Sequence, residues 1–289
     1  MLHNLQFINS SVGFACGGNT GQTGSVFKTI DGGYTWQQIF STTSNSLYDV
    51  HFVNDTFGIT CGENLSIYKT IDGGAHWINQ YDLQNHPAPA YNSTLRSIYA
   101  VNENYIYISG GSNFQTGVMY KTYTGGNFWI YGTFDNELRG CYFLNKSTGY
   151  FSGYGAIYKT SDSATSFTKL PVDNDFFVSI CFTNNNIAYA CGYNGGIYKT
   201  TDGGNSWTSQ LKNNNDINRT RHFNQIKFFD DNIGYAVGNN GLIMYTDNGG
   251  DKWKTIKKIT EENLFSLCLK NRNEIFITST QGKIFILKP

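Results

Sequence analysis

The sequence predicts an all-β protein: a seven-bladed β-propeller of four-stranded antiparallel blades in a single domain, residues 1–289, with an incomplete last blade. Three observations predict it. A strand–turn–strand motif, clearest from Gly195 to Trp207, recurs along the chain. Each repeat holds about four short strands, too few to hide both faces of its own sheet. No segment keeps the 3.6-residue apolar period of a helix.

In the clearest copy, Ile197 to Thr200 is rich in β-branched and aromatic residues, as a half-buried strand should be. Asp202-Gly203-Gly204 is turn chemistry: the carboxylate can accept nearby backbone N–H groups, and glycine accepts positive φ without steric cost. Trp207 supplies an apolar body that can fold back over the turn. The motif returns as Val26–Trp36 and Ile67–Trp77, and in altered form as Met119–Trp129, Ile157–Phe167 and Ile243–Trp253. The turn acid is Asp31, Asp72, Asp162 and Asp202, with Thr124 in its place in the third unit and Asn248 in the sixth.

The blades read as residues 1–40, 47–81, 95–133, 138–170, 177–211, 223–257 and 264–289. Within each, strands A to D follow one another. Strand A places Val50 and Phe52 on one face by two-residue alternation. Ile98/Ala100, Cys141/Phe143, Ile180/Phe182, Ile226/Phe228 and Leu267/Leu269 are the equivalent pairs. Radial stacking lets neighbouring sheets cover one another and leaves only short outer edges exposed. Seven strand A patterns favour seven blades over six or eight. The last unit ends after its strand C, Gly282 to Leu287. That predicts either a three-stranded blade or an outer strand supplied by a segment preceding Met1, which would also carry an export signal.

A formal charge of zero removes the sequence-independent pull toward nucleic acid or an anionic membrane surface. No apolar run reaches the length of a membrane-spanning helix. The six cysteines (16, 61, 141, 181, 191 and 268) sit in apolar strand patterns at recurring positions, and are expected to be free, buried thiols. There is no CxxC pair, and the histidines at 3, 51, 76, 86 and 222 have no ligand spacing, so no metal or other cofactor is expected.

The hairpin GxIYKTxDGGxxW resembles the Asp-box, or bacterial neuraminidase repeat, S/T-x-D-x-G-x-x-W. In its longer form, GYACGxxGxIYKTTDGGxSW, it resembles the photosystem II stability and assembly factors of the Ycf48/Hcf136 type. The likeness spans all seven units and is strongest in the first, second and fifth. The fourth lacks both glycines and has Phe167 for Trp, and the seventh lacks the box. The resemblance implies a seven-bladed propeller that works as a non-catalytic scaffold or chaperone for a protein partner. Asp-box repeats also occur in exported proteins, so an extracytoplasmic location is expected, with any export signal absent from this chain. The box residues Asp31, Trp36, Asp72, Trp77, Asp162, Asp202, Trp207, Asn248 and Trp253 are read as structural.

In a four-stranded meander the A–B and C–D turns lie at one end, and the B–C and D–A loops at the other. The irregular end is where binding residues should concentrate. It carries two long D–A loops, Asp82–Thr94 with Tyr91 and Lys212–His222 with Arg219, Arg221 and His222. Two enlarged B–C loops are also expected there, Gly17–Gly24 and Gly110–Gly117, the latter with Phe114. Arg96 and Arg139 begin strand A in blades three and four and, with Arg219 and Arg221, could form a basic rim for an acidic partner. A monomer that binds a protein through this face is the favoured reading, with a glycan also a conceivable ligand. The alternative is a carbohydrate-active enzyme of the Asp-box sialidase or xyloglucanase type. That needs paired acids about 5–10 Å apart. The acids of this end (Asp82, Asp135, Glu137, Asp173, Asp175, Asp216, Glu261 and Glu262) are scattered and read as ordinary loop acids, and no catalytic residue is assigned.

Overall fold

The structure is a computed structural model and describes residues 1–80, 93–172, 175–212 and 221–289. The chain is a seven-bladed β-propeller of antiparallel sheets, six with four strands and the last with three. It divides into two compact units, residues 1–138 and 139–289.

The first unit holds three sheets. They are β1 (Leu2–Phe7), β2 (Gly13–Gly18), β3 (Gly24–Thr29) and β4 (Gln37–Ser41); β5 (Leu47–Phe52), β6 (Gly58–Gly62), β7 (Ile67–Thr70) and β8 (Ile78–Asn79); and β9 (Thr94–Ala100), β10 (Ile106–Ser112), β11 (Thr116–Thr122) and β12 (Ile130–Phe134). The second holds four, the first of which begins at the boundary. They are β13 (Leu138–Phe143), β14 (Gly149–Gly153), β15 (Ala156–Thr160) and β16 (Thr168–Lys169); β17 (Phe177–Phe182), β18 (Ala188–Gly192), β19 (Ile197–Thr200) and β20 (Thr208–Leu211); β21 (Phe223–Phe228), β22 (Gly234–Gly238), β23 (Ile243–Thr246) and β24 (Lys254–Thr255); and β25 (Leu264–Asn271), β26 (Glu274–Ser279) and β27 (Ile284–Leu287). Every sheet is a plain meander, because each turn is too short to carry a strand past its neighbour.

Within each unit, core layers lie between successive sheets. Phe14, Cys16 and Val26 of the first sheet pack on Leu47, Val50 and Phe52 of the second. In the second unit Tyr150 and Ile157 meet Phe177, Ile180 and Phe182, and Val237 and Ile243 meet Leu264 and Leu267. The face pairs expected on strand A are buried, save Phe228 and Leu269, which are partly buried and pack against the core. All six cysteines are free and buried. Burial pushes the Cys181 thiol up to about 12 and holds those of Cys16 and Cys191 well above the ordinary range.

One expected loop is not a loop. Residues 110–112 and 116–117 extend the ladder between β10 and β11, with Gly110 opposite Val118, Gly111 opposite Gly117 and Ser112 opposite Thr116. The turn shrinks to residues 113–115. Glycine content read as loop is here a strand pair running close to other backbone: a Cβ on Gly111 would stand 2.1 Å from the Thr116 carbonyl oxygen.

Two polar links between blades recur. One strand A side chain at an equivalent position takes the N–H of the next blade's strand A. Asp49 accepts from Ile98 at 2.7 Å, Ser179 from Ile226 at 3.3 Å, and Gln225 from Leu267 at 2.6 Å. The lysine of the IYKT strand donates to the first glycine carbonyl of the next blade's box: Lys28 to Gly73, Lys69 to Gly125, Lys159 to Gly203 and Lys199 to Gly249, at 2.8–2.9 Å. In blade six the equivalent residue is Tyr245.

Candidate functional site

The regular end of blades one to six is built by the box. In blade five the buried Thr200 hydroxyl accepts the Gly204 N–H at 2.9 Å and donates to Asp202 Oδ1 at 2.8 Å. The Asp202 carboxylate also accepts the Ser206 N–H (2.8 Å) and hydroxyl (2.6 Å). Blades one, two and four repeat this through Asp31, Asp72 and Asp162. Asn248 keeps the Thr246 and Lys252 bonds in blade six. In blade three Thr124 accepts the Phe128 N–H. Both turn glycines have positive φ (67° and 87° in blade five), and in blade four Ser163 and Ala164 are held in the same left-handed region at 62° and 59°. Trp36 closes its turn by donating to the Gly33 carbonyl at 3.2 Å. Trp77 and Trp253 pack edge-on against Phe52 and Phe228. Trp207 joins the core of blades four and five. These residues hold turns together.

The box carboxylates set an acid sensitivity. Bonds from the Ser206 hydroxyl, the Ser206 N–H and Thr200 lower Asp202 from its ordinary 3.8 to about 2. Asp31, Asp72 and Asp162 are held lower still, mainly by Thr35, His76 and Ser166 respectively. A folded-state value below the unfolded one means that the unfolded chain binds more protons as pH falls through this range. The contribution is complete above about pH 4 and is lost as pH falls toward 2 and below. An acid titration followed by tryptophan fluorescence should show this loss. Replacing the four aspartates by asparagine, already present at 248, should flatten the dependence; an unchanged acid transition would show that other groups control it.

At the irregular end, the first unit carries a chain of contacts around Arg96. Arg96 Nε donates to Glu137 Oε1 at 3.2 Å, and the guanidinium lies 4.8 Å from the Tyr48 ring centre. His3 stacks on Tyr48 with ring centres 4.4 Å apart. Burial, then the positive charge of the amino terminus, lowers His3 to about 4, so it is neutral at pH 7; Arg96 adds to the effect. Glu137 is only 2% exposed. Its second oxygen accepts the Phe114 N–H at 3.0 Å, and its own N–H donates to the Phe114 carbonyl. Phe114 is thereby clamped at φ 61° and is 51% exposed.

The second unit carries a ladder of rings. Arg139 lies 5.1 Å over Phe176. Phe176 meets Tyr154 edge-on at 5.2 Å and Tyr193 at 6.0 Å, and Tyr193 meets His222 at 4.7 Å. His222 Nδ1 lies 2.6 Å from the Tyr193 carbonyl. Beneath them Asp175, 1% exposed, accepts the N–H groups of Phe176, Asn194 and Gly196. Burial nonetheless raises its carboxyl above the ordinary range. Arg221 donates to the Lys212 carbonyl at 2.6 Å.

Of the residues named for binding, the structure brings Arg96 to Phe114 through Glu137, and Arg139 to His222 through Phe176 and Tyr193. Tyr91 and Arg219 lie outside the described residues, as do Asp82, Asp173 and Asp216. The acids correct one expectation: Glu137 and Asp175 are buried acceptors rather than ordinary loop acids, because each lies where several N–H or N⁺–H donors converge. Sequence reasoning missed Tyr48, Phe176 and Tyr193. Their shared place beside the start of strand A or after strand B was the available signal. Among the described residues no cluster of His, Cys, Asp and Glu could hold a metal ion, and no helix is long and apolar enough to cross a membrane.

A family profile described as "Photosynthesis system II assembly factor YCF48" matches residues 34–174 and 166–266. No curated protein sequence matches. Among solved structures, one described as YCF48 bound to D1 peptide is similar over 100% of this chain and 93% of its own, with a TM-score of 0.75 and 18% identity. YCF48 from Cyanidioschyzon merolae is similar over 100% and 95%, with a TM-score of 0.74 and 16% identity. The WD40 propeller domain of Doa1 is also similar, over 99% and 91%, with a TM-score of 0.75 at 9% identity.

Proposed function

Because this chain belongs to the Ycf48 family of photosystem II assembly factors, we propose that it is a non-catalytic propeller that binds a protein partner through the loops at the B–C/D–A end of its blades. The observation that carries this reading is an arginine set over an aromatic ring in each unit, with exposed rings beside it: Arg96 over Tyr48 and, through Glu137, next to the clamped, exposed Phe114; Arg139 over the buried Phe176, which leads to the exposed Tyr193 and to His222. Rings offer contact area at low entropic cost, and a guanidinium over a ring is already oriented for a carboxylate. The solved YCF48 structure described as bound to D1 peptide supports a peptide segment as the recognised form. The acids weighed for hydrolysis support a non-catalytic role, since Glu137 and Asp175 are engaged with Arg96 and with backbone N–H groups.

Phe114→Ala and Arg139→Ala test the face. With a fluorescein-labelled D1 peptide as probe, each variant is expected to weaken binding about tenfold, equivalent to about 1.4 kcal/mol. Circular dichroism should stay unchanged. Wild-type affinity in both variants would place the binding surface elsewhere.

A further inference from the structure

The box turns of the first unit carry side chains that the turn itself does not require. Ile30, Tyr34, Ile71 and Phe128 are between 60% and 74% exposed. Just before the acid position of the box, blades one and two have Ile30 and Ile71, where blades four, five and six have Ser161, Thr201 and Asp247. Tyr34 stands where blades five and six have Asn205 and Asp251, and Phe128 where they have Ser206 and Lys252. Both kinds of turn close alike: the Gly33 and Gly74 N–H groups reach the hydroxyls of Thr29 and Thr70 at 2.9 Å, as Gly204 reaches Thr200. Among the described residues no large apolar side chain is exposed on the box turns of the second unit. Exposed apolar side chains gathered at one end of a fold mark a contact surface.

The three turns stand in a row, because Lys28 reaches from blade one to the Gly73 carbonyl and Lys69 from blade two to that of Gly125. The A–B turns lie at the same end: the N–H groups of Gly32, Gly73 and Gly125 donate to the carbonyls of Ser11, Thr56 and Asn104. Asn54 joins two of them by donating to Glu103 at 2.7 Å. The exposed acids of this end are Asp31, Asp55, Asp72 and Glu103. Asp72 has His76 at 2.7 Å, but among the described residues no lysine or arginine pairs with any of the four. Lys28 and Lys69 direct their ammonium groups to the glycine carbonyls instead. The second unit differs here too: at the same end Asp230 is paired with Arg272 and Asp247 with Lys254.

This unbalanced acid decides what suits the surface. A second copy presenting the same end would bring like charges together, and an anionic lipid surface would be repelled. We propose that the box end of the first unit is a docking surface for a basic, amphipathic segment of a partner protein. Its apolar side chains cover Ile30, Tyr34, Ile71 and Phe128, and its Lys or Arg groups meet Asp31, Asp55, Asp72 and Glu103. Apolar burial supplies affinity, and the charges supply selection and encounter rate. Arg96 and Phe114 lie at the opposite end of the same unit, so this surface leaves the loop face open and gives a scaffold a second partner.

The test uses the full chain and a fluorescein-labelled peptide, Lys-Leu-Leu-Lys-Lys-Leu-Leu-Lys. Its controls are Glu-Leu-Leu-Glu-Glu-Leu-Leu-Glu, with the charge reversed, and Lys-Ser-Ser-Lys-Lys-Ser-Ser-Lys, with the apolar side chains removed. The basic amphipathic peptide is expected to bind about tenfold more tightly than either control. Ile30→Ser combined with Ile71→Thr installs residues that blades four and five already hold at this turn position, so the fold persists. That double variant is expected to weaken binding about tenfold with unchanged circular dichroism. Asp55→Asn combined with Glu103→Gln is expected to weaken it about fivefold and to flatten its salt dependence. Equal binding of the three peptides, or wild-type affinity in both double variants, would overturn the proposal. Sedimentation with phosphatidylcholine vesicles that Ile30→Ser with Ile71→Thr abolishes would overturn it in favour of lipid. Self-association that the same variant abolishes would overturn it in favour of a second copy. The labelled D1 peptide reports the loop face separately, and its binding is expected to be the same in this variant as in wild type; a loss there would merge the two surfaces and overturn the proposal.

Discussion

Gly238→Ala is expected to destabilise the protein by about 3 kcal/mol, combining overpacking with a lost hydrogen bond. The added Cβ would stand 1.8 Å from the His222 carbonyl oxygen and 2.8 Å from its carbon. That carbonyl cannot simply retreat, because it accepts the N–H of Asn239, the next residue, at 2.9 Å. The approach fixes where strand A starts relative to the end of strand B. It recurs at Gly62, whose Cβ would lie 2.0 Å from the Ser46 oxygen, and at Gly17, 2.0 Å from that of Met1. Gly282→Ala is the control. It has a positive φ of 75° but no atom within 4 Å, and should cost about 1 kcal/mol, the strain of a left-handed alanine. Urea denaturation of both variants checks the contrast. Equal midpoints would show that backbone approach does not set the cost.

Glu137→Ala is the second large effect, about 3 kcal/mol. It removes the partner of Arg96 and the acceptor for the Phe114 N–H together. The value sits at the low end for breaking a buried ion pair because the Arg96 side chain is 22% exposed and can recover some hydration. Glu137→Gln keeps an oxygen for Phe114 and should cost less. Denaturation gives the total, and amide exchange at Phe114 isolates the local part. Wild-type exchange at Phe114 in Glu137→Ala would mean that the turn holds its left-handed shape without the clamp.

The box turns were legible in the sequence because their causes are local. Thr200 bonds both Asp202 and Gly204 within five residues. The candidate site was legible only in part. Arg96 and Arg139 stand out as arginines at repeated positions, but nothing near Arg96 in sequence announces Glu137. Gly110–Gly117 read as a loop because glycine signals turns and close backbone approach alike.

The sequence by itself determined the repeat, the order of strands and which residues face inward, since alternation and turn chemistry act over a few residues. Tertiary structure alone decided which polar groups are engaged. Asp49 finds the Ile98 N–H, Lys69 finds the Gly125 carbonyl and Arg96 finds Glu137 only when one blade lies against the next. A charge is free or bound according to what stacking brings within about 3 Å of it, and partners some forty or more residues away leave no mark in the local pattern.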